Sequence, residues 1–523
     1  MSGAGGEAVA AQKPLWTLDA LIAATGADVS LARSGATAPP PVRGDGPRTP
    51  RLLDQETEGS GAVLPSGLQG GSPARAADFT GVSIDTRTIR PGELFVALKD
   101  VRDGHEFVTW AFKNGAAAAL VDRDYAQAEG DGPLLRVDDP LQALEALGRA
   151  ARARLSPDAR VIAVTGSAGK TTTKEMLRAC LTPLGKTHAS EKSYNNHWGV
   201  PLTLARMPAD TKFAVFEIGM NHAGEITPLT KMVRPHVAIV TTVAAVHLEH
   251  FASVAKIAEA KAEIFAGLEP RGTAVIPADN AYADILAGAA HDRRVRITTF
   301  GGPAPTDVLL LASIQNRDGT SVQIEALECS FSYRLATPGA HVVSNSLAVA
   351  AALVVLRIPL EQGLAPLADF RAPQGRGQVH DCCSLVVIDE SYNANPASMR
   401  AALDTVALYP RDKHPRRIAV LGDMLELGQQ SKVLHEGLVQ PIIDAKVDLV
   451  LACGPNMKHL YDILPPEKRV TDGWAPTSAE LETVLMATVR AGDVVMIKGS
   501  NGSRMAPLVN ALIARHTPAT ETS

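Results

Sequence analysis

The residues best suited to chemistry lie at 161–175, where the chain reads VIAVTGSAGKTTTKE. A short β-branched run ends in a glycine-containing turn, and a helix is expected to start where Lys170 and Thr171 stand. Gly166 and Gly169 let the backbone approach an anion closely, unpaired N–H groups at a helix start point toward it, and Lys170 adds positive charge. The hydroxyl of Thr171 can serve as a ligand of nucleotide-bound magnesium. The eight-residue phosphate-loop pattern is incomplete, because Val164 occupies its first glycine position. By itself this segment fits ATP hydrolysis, GTP switching and phosphoryl transfer equally well.

Two further residues follow strand-like runs. Glu217 ends FAVFE, and His247 comes shortly after VAIVTTV, at the strand ends where α/β proteins collect ligands. Thr171, Glu217 and His247 thus offer oxygen and nitrogen ligands from three elements. His250 competes with His247, which is favoured because it is closer to its strand. In SVAKIAEAKAEIFAGL the spacing of Lys256, Glu259, Lys261 and Glu263 reads as a charged, solvated helix face.

These residues need a scaffold of alternating strands and helices. The runs VIAVTG, FAVFEIG, VAIVTTV and TAVIP predict mainly parallel strands covered by helices, and LVVIDES, RIAVLGD, DLVLACG and DVVMIKGS repeat the pattern in a separate doubly wound domain. Upstream, a helix is expected over Leu15 to Val29, opened at Thr17, and a small α/β module begins at FTGVSIDTRTIRPGELFVAL. Between them lies a stretch rich in Pro, Gly, Ser and Arg, read as a flexible insertion at 32–78. The expected domains are 1–156, 157–362 and 363–523, all α/β.

Composition narrows the function. With 51 basic and 56 acidic residues the chain has no global positive field to attract nucleic acid. The five cysteines have neither metal-ligand spacing nor an even framework for pairing, and read as reduced, partly buried side chains. No apolar run reaches the roughly 20 residues that span a bilayer, so the chain reads as cytosolic, without membrane insertion.

The ordered segments DTRTIRPGELFVAL, DGHEF, TGSAGKTTTKEM, YNNHWGVPLTL, EIGMNHAGEI, VHLEHFAS, IAEAKAEIF, ESYNANPASM, GDMLELG and KGSNGSRM together resemble the Mur ligases of peptidoglycan synthesis. The likeness runs from about Leu15 to Met505 outside the insertion, and YNN, SYNANPASM and GDMLELG suggest the branch that adds a dipeptide. The resemblance implies three domains: one for the UDP-sugar, a central ATPase with a phosphate loop, and a Rossmann-like domain that closes over ATP and the incoming amine. It also implies a monomeric enzyme that uses ATP and two Mg2+ ions to join D-alanyl-D-alanine to UDP-N-acetylmuramoyl-tripeptide. A related Mur or folylpolyglutamate-type ligase using another amine is the alternative, and a noncatalytic nucleotide switch is a third.

Carried over by position, the resemblance implies an ATP site of Gly166, Ser167, Gly169, Lys170, Thr171, Thr172, Asn345, Arg376 and Glu390. It makes Thr171 and Glu217 ligands of one magnesium and His247 of a second, with Lys261 carbamylated into a metal-binding anion. Lys170, His247 and Lys261 are then the catalytic residues, and Lys261 leaves the solvated-face reading. For substrates it implies Asp85, Thr86, Arg87, Asp103 and His105 on the sugar nucleotide, and Tyr194, Asn195 and Asn196 near the muramoyl-peptide. Asn393, Asn395, Lys498 and Ser500 are implied for the closed site or dipeptide pocket. Three positions depart from the family pattern: Thr86 replaces Ser, Glu390 replaces Asp, and Val342 replaces an Asn near the adenine.

Overall fold

The first helix, Leu18–Thr25, starts where the side chain of Thr17 accepts the N–H of Ala20 and stops at Gly26, whose φ of 66° is left-handed. That stop makes the helix shorter than the expected Leu15 to Val29, and Val29 belongs instead to a strand. In this computed structural model the described residues are 14–30, 78–302 and 305–517, so the expected insertion at 32–78 lies outside them apart from Asp78.

The chain divides into two units, Met1–Ala143 and Leu144–Ser523. In the first, strands β1 (Asp28–Ser30), β2 (Gly81–Ser83), β3 (Glu93–Val96), β4 (Ala118–Asp122) and β5 (Leu134–Val137) form one sheet in the order β1-β5-β4-β3-β2. β2 to β5 run parallel, and β1 pairs antiparallel with β5. Phe95, Val108, Val121 and Leu134 are buried in its core.

The second unit contains two sheets. The larger is built from β6 (Arg160–Thr165), β7 (Thr187–Ala189), β8 (Phe213–Glu217), β9 (Val237–Val240), β10 (Thr273–Pro277), β11 (Arg296–Gly301), β12 (Val308–Asn316), β13 (Gly319–Ala326) and β14 (Cys329–Leu335). Its order is β14-β13-β12-β11-β10-β9-β6-β8-β7. β6 to β12 are parallel neighbours, as expected for the runs that form β6, β8, β9 and β10, whereas β12, β13 and β14 form an antiparallel meander. On β13 buried and exposed residues alternate along much of the strand, so one face packs and the other is solvated. The helix Ala340–Val355 carries Leu347, Val349 and Leu353 into this domain's core.

The smaller sheet joins β15 (Gln378–Cys382), β16 (Leu385–Glu390), β17 (Arg417–Gly422), β18 (Leu449–Cys453), β19 (Arg469–Ala475) and β20 (Val494–Lys498) in the order β15-β16-β20-β17-β18-β19. Except for the antiparallel β15–β16 pair, it is parallel. The chain order reverses around β16, β20 and β17, and the register sets Glu390 against Lys498 there, the crevice where doubly wound sheets bind ligands.

Three of the five cysteines, Cys180, Cys382 and Cys453, are buried, Cys329 and Cys383 are exposed, and all five are free thiols. Among the described residues no helix is long and apolar enough to cross a membrane. Leu353 is fully buried, so Leu353→Ala is expected to lose about 2–5 kcal/mol of unfolding free energy, measured by denaturant titration.

Candidate functional site

β6 is buried along Val161–Val164 and delivers the chain into a turn with no room for a side chain at Gly166 or Gly169. Gly166 has φ 154° and Gly169 has φ 80°. A Cβ on Gly166 would lie 1.9 Å from Thr241 Oγ1, and one on Gly169 would lie 2.2 Å from Asn345 Oδ1. The loop is fastened to the segment after β9: Ser167 N donates to Thr242 O (2.9 Å), and Thr241 Oγ1 donates to Ala168 O (2.5 Å). The helix Lys170–Leu181 then begins without a side-chain cap, which leaves its first N–H groups available to an anion. Lys170 Nζ donates to Gly166 O at 2.7 Å. Burial pushes its pKa below the usual lysine value; Glu217 opposes that shift and the guanidinium of Arg376 adds to it.

Glu217 stands at the end of β8, 1% exposed. Its Oε2 accepts Thr171 Oγ1 at 2.8 Å, and its Oε1 accepts Asn195 Nδ2 at 2.8 Å. A carboxylate and a hydroxyl in contact, beside a phosphate-binding helix start, supply the hard oxygen donors that magnesium prefers. The fit is therefore good at Thr171 and Glu217. Among the described residues no group of three or more His, Cys, Asp or Glu could hold a metal by itself.

These groups border a cavity of about 410 Å³ that both domains of this unit line. From the central domain come Ser167, Gly169, Lys170, Thr172, Asn195, Glu217, His247 and Asn345, and from the C-terminal domain Arg376, Glu390, Asn393, Asn395 and Lys498. Arg376 spans the two, donating to Ser193 Oγ (3.2 Å) while its guanidinium lies 3.9 Å from the centroid of the Tyr392 ring. Lys498 Nζ meets Glu390 Oε2 at 3.1 Å and donates to Asn393 O at 2.9 Å, so the longer Glu390 retains an ion pair. His341 also lines the cavity, and its buried Nδ1 has no hydrogen-bond partner. Val342, beside it in sequence, is packed into the core instead.

Other expected residues fall elsewhere. Gly166 and Thr171 belong to the phosphate turn without lining the cavity, and Lys261 is 2% exposed on the helix Val254–Ala262. Burial and the charge of Lys170 both push Lys261 well below the ordinary lysine range, which excludes the solvated face for it, although Lys256 and Glu259 do pair on the surface. Asn196 Oδ1 accepts Gly199 N and Tyr194 stacks edge-on against Trp198, both local contacts, while Ser500 Oγ accepts Leu425 N and joins two loops; all three lie outside the cavity lining. Asn395 does line it, but its side chain caps the helix Pro396–Ala407. His250 contacts Glu249 and stacks on His222, away from the lining.

In the first unit, Arg87 Nε and Nη2 grip Asp85 at 2.9 and 2.7 Å, and Asn114 Nδ2 holds the carbonyl of Thr86. His105 Nε2 accepts the N–H of Asp122, which leaves Nδ1 to donate to Asp103 at 2.6 Å. Asp103 and His105 thus fix the turn that opens Gly104–Phe107.

Sequence reasoning missed Lys174, a fully buried lysine whose Nζ donates to Ser190 O (2.6 Å) and Lys192 O (2.8 Å) and meets Glu175. It secures the loop that carries Ser193 and Asn195. Its signal was a lysine one helical turn after Lys170, on an otherwise buried helix face. Glu426, whose carboxylate lies against His247 Nδ1, was also missed; that contact holds its pKa below the usual range, against burial.

A phosphate loop on one α/β domain, and a doubly wound second domain bringing a lysine and an arginine to the same cavity, are the features of an ATP-dependent acid–amine ligase. Residues 164–353 match the Mur ligase middle domain and residues 375–501 match the Mur ligase, glutamate ligase domain. The chain belongs to the Mur ligase family and has its three-domain α/β fold, with a central ATP-binding domain and a C-terminal Rossmann-like domain. It is 36% identical to the UDP-N-acetylmuramoyl-tripeptide–D-alanyl-D-alanine ligase of Escherichia coli, over 86% of this chain and 96% of that one. It is 33% identical to the corresponding ligase of Rickettsia prowazekii, over 82% and 94%. A crystal structure of MurF from Acinetobacter baumannii matches with a TM-score of 0.76 and 27% identity, covering 96% of this chain and 99% of that one.

Two substitutions test the site. Gly166→Ala must displace Thr241 and is expected to weaken ADP binding by roughly tenfold or more in calorimetric titration. Lys174→Met leaves two carbonyls without their donor and is expected to cost about 1–3 kcal/mol of stability, read by thermal unfolding.

Proposed function

We propose that this chain joins D-alanyl-D-alanine to UDP-N-acetylmuramoyl-tripeptide, producing UDP-N-acetylmuramoyl-pentapeptide, ADP and phosphate. The observation that carries the reading is the cavity that the phosphate loop shares with Arg376, Glu390, Asn393 and Lys498, in a chain whose likeness to such ligases extends over most of its length.

The γ-phosphate of ATP passes to the terminal carboxylate of the tripeptide, turning one of its oxygens into a leaving group. The dipeptide amine attacks the acyl phosphate, and phosphate departs from the tetrahedral intermediate. Lys170 and Arg376 offset the negative charge crowded at the phosphates, and the walls from two domains exclude the water that would hydrolyse the acyl phosphate. ATP is held by the turn Gly166, Ser167, Gly169 and Thr172, with Asn345 and Glu390 alongside. Thr171 and Glu217 would hold one magnesium, and His247 with carbamylated Lys261 a second. Magnesium supplies charge neutralisation and orients the phosphate oxygens.

The lowered pKa of Lys261 supports the carbamate: a neutral amine adds CO2 and releases a proton, giving an anion beside the cationic neighbour Lys170. Asp85, Thr86, Arg87, Asp103 and His105 bind the UDP-sugar, Tyr194, Asn195 and Asn196 shape the peptide side, and Asn393, Asn395, Lys498 and Ser500 form the dipeptide side. The domains are 1–156, 157–362 and 363–523. The enzyme acts as a monomer in the cytoplasm, where ATP and nucleotide-linked sugars are available.

The test is mass-resolved product formation from the UDP-linked tripeptide, ATP and magnesium, with either D-alanyl-D-alanine or D-alanine. Pentapeptide product is expected only with the dipeptide; product only with D-alanine, or none from folded enzyme, refutes the assignment. In 13C-bicarbonate, a carbamate carbon signal is expected from the native protein and is expected to vanish in Lys261→Ala.

A further inference from the structure

His247 and Glu426 face each other from different domains of the second unit, one after β9 and the other after β17. The carboxylate of Glu426 lies against His247 Nδ1, and the backbones meet as well, with Glu249 N donating to Glu426 O at 3.4 Å. Both backbones are left-handed, with φ 53° at His247 and 63° at Glu426, although neither residue is glycine. Such conformations cost free energy and persist where surrounding contacts enforce them. Close by, Gly428 has φ 55°, and a Cβ there would come within 3.3 Å of Glu249 Cα, so the two loops are in close contact.

We propose that Glu426 is a positioning residue for His247: its carboxylate engages Nδ1 and reserves Nε2 as the ligand nitrogen, so that seating of the C-terminal domain completes a metal site on the central domain. This rests on the reading of His247 as a magnesium ligand. Imidazole ligands usually have the nitrogen remote from the metal held by a carboxylate, a carbonyl or water, which fixes the tautomer and raises ligand basicity. Here that carboxylate comes from the neighbouring domain, on a side chain that is nearly half exposed. The site is therefore incomplete until the loop after β17 has docked.

The experiment counts and titrates Mn2+ by electron paramagnetic resonance on the full chain with ADP, comparing native protein, Glu426→Ala, Glu426→Gln and His247→Ala. Glu426→Ala is expected to weaken one Mn2+ site by about tenfold or more while its thermal midpoint stays near the native value, and His247→Ala is expected to weaken the same site at least as much. Glu426→Gln, which keeps an acceptor oxygen, is expected to recover part of the affinity. If His247→Ala weakens the site and Glu426→Ala leaves it unchanged, the positioning role is overturned. If His247→Ala leaves Mn2+ binding unchanged, the ligand reading fails first and this inference falls with it.

Discussion

The turn between β6 and the helix Lys170–Leu181 has no space for a side chain at Gly166 or Gly169, because Thr241 and Asn345 already fill it. That steric limit brings the bare helix start, the Lys170 ammonium and the end of β9 to one point. The rest of the site is arranged around it. β8 lies beside β6 and carries Glu217 to the first turn of the helix, and the helix Ala340–Val355 presses Asn345 against the loop from another direction. Close packing of this kind makes the phosphate site a property of the central sheet as a whole.

Three almost fully buried lysines show how differently the fold treats one kind of charge. Lys174 meets two carbonyl oxygens and Glu175, and Lys498 meets Glu390 and a carbonyl, so each has acceptors for its N–H groups. Lys261 has burial and the charge of Lys170 acting against protonation together. The first two tie loops in place, whereas the third is held below the ordinary lysine range. Solvent exclusion alone does not distinguish these outcomes; the neighbouring dipoles and charges do.

The strands that bear the site were legible because buried parallel strands are short β-branched runs, and the phosphate turn because its glycines and lysine sit directly after one of them. The meander from β12 to β14 was not, since its one-sided burial produces an alternation that a search for fully buried runs passes over. Lys261 shows the limit of spacing arguments: its neighbours Lys256 and Glu259 do pair on the surface, and only the packing places Lys261 on the opposite side. Glu426 was illegible for another reason. Its significance lies in a contact with a residue far away in the chain, and no local pattern encodes that. Asn196 and Ser500 matched family motifs, yet the structure uses the first side chain for a turn and the second to join separate loops, so a motif can preserve a loop's shape as well as its contacts.

The tether made by Lys174 has a mechanical consequence. The helix that receives phosphate at its first turn also grips, one turn later, the loop bearing Ser193 and Asn195. The phosphate turn and that loop are thereby mounted on one helix. A displacement of that helix would carry both segments with it. Under the function proposed above, acceptor choice and ATP alignment are then coupled through one helix, and variation in acceptor choice is directed toward surfaces which that helix does not carry.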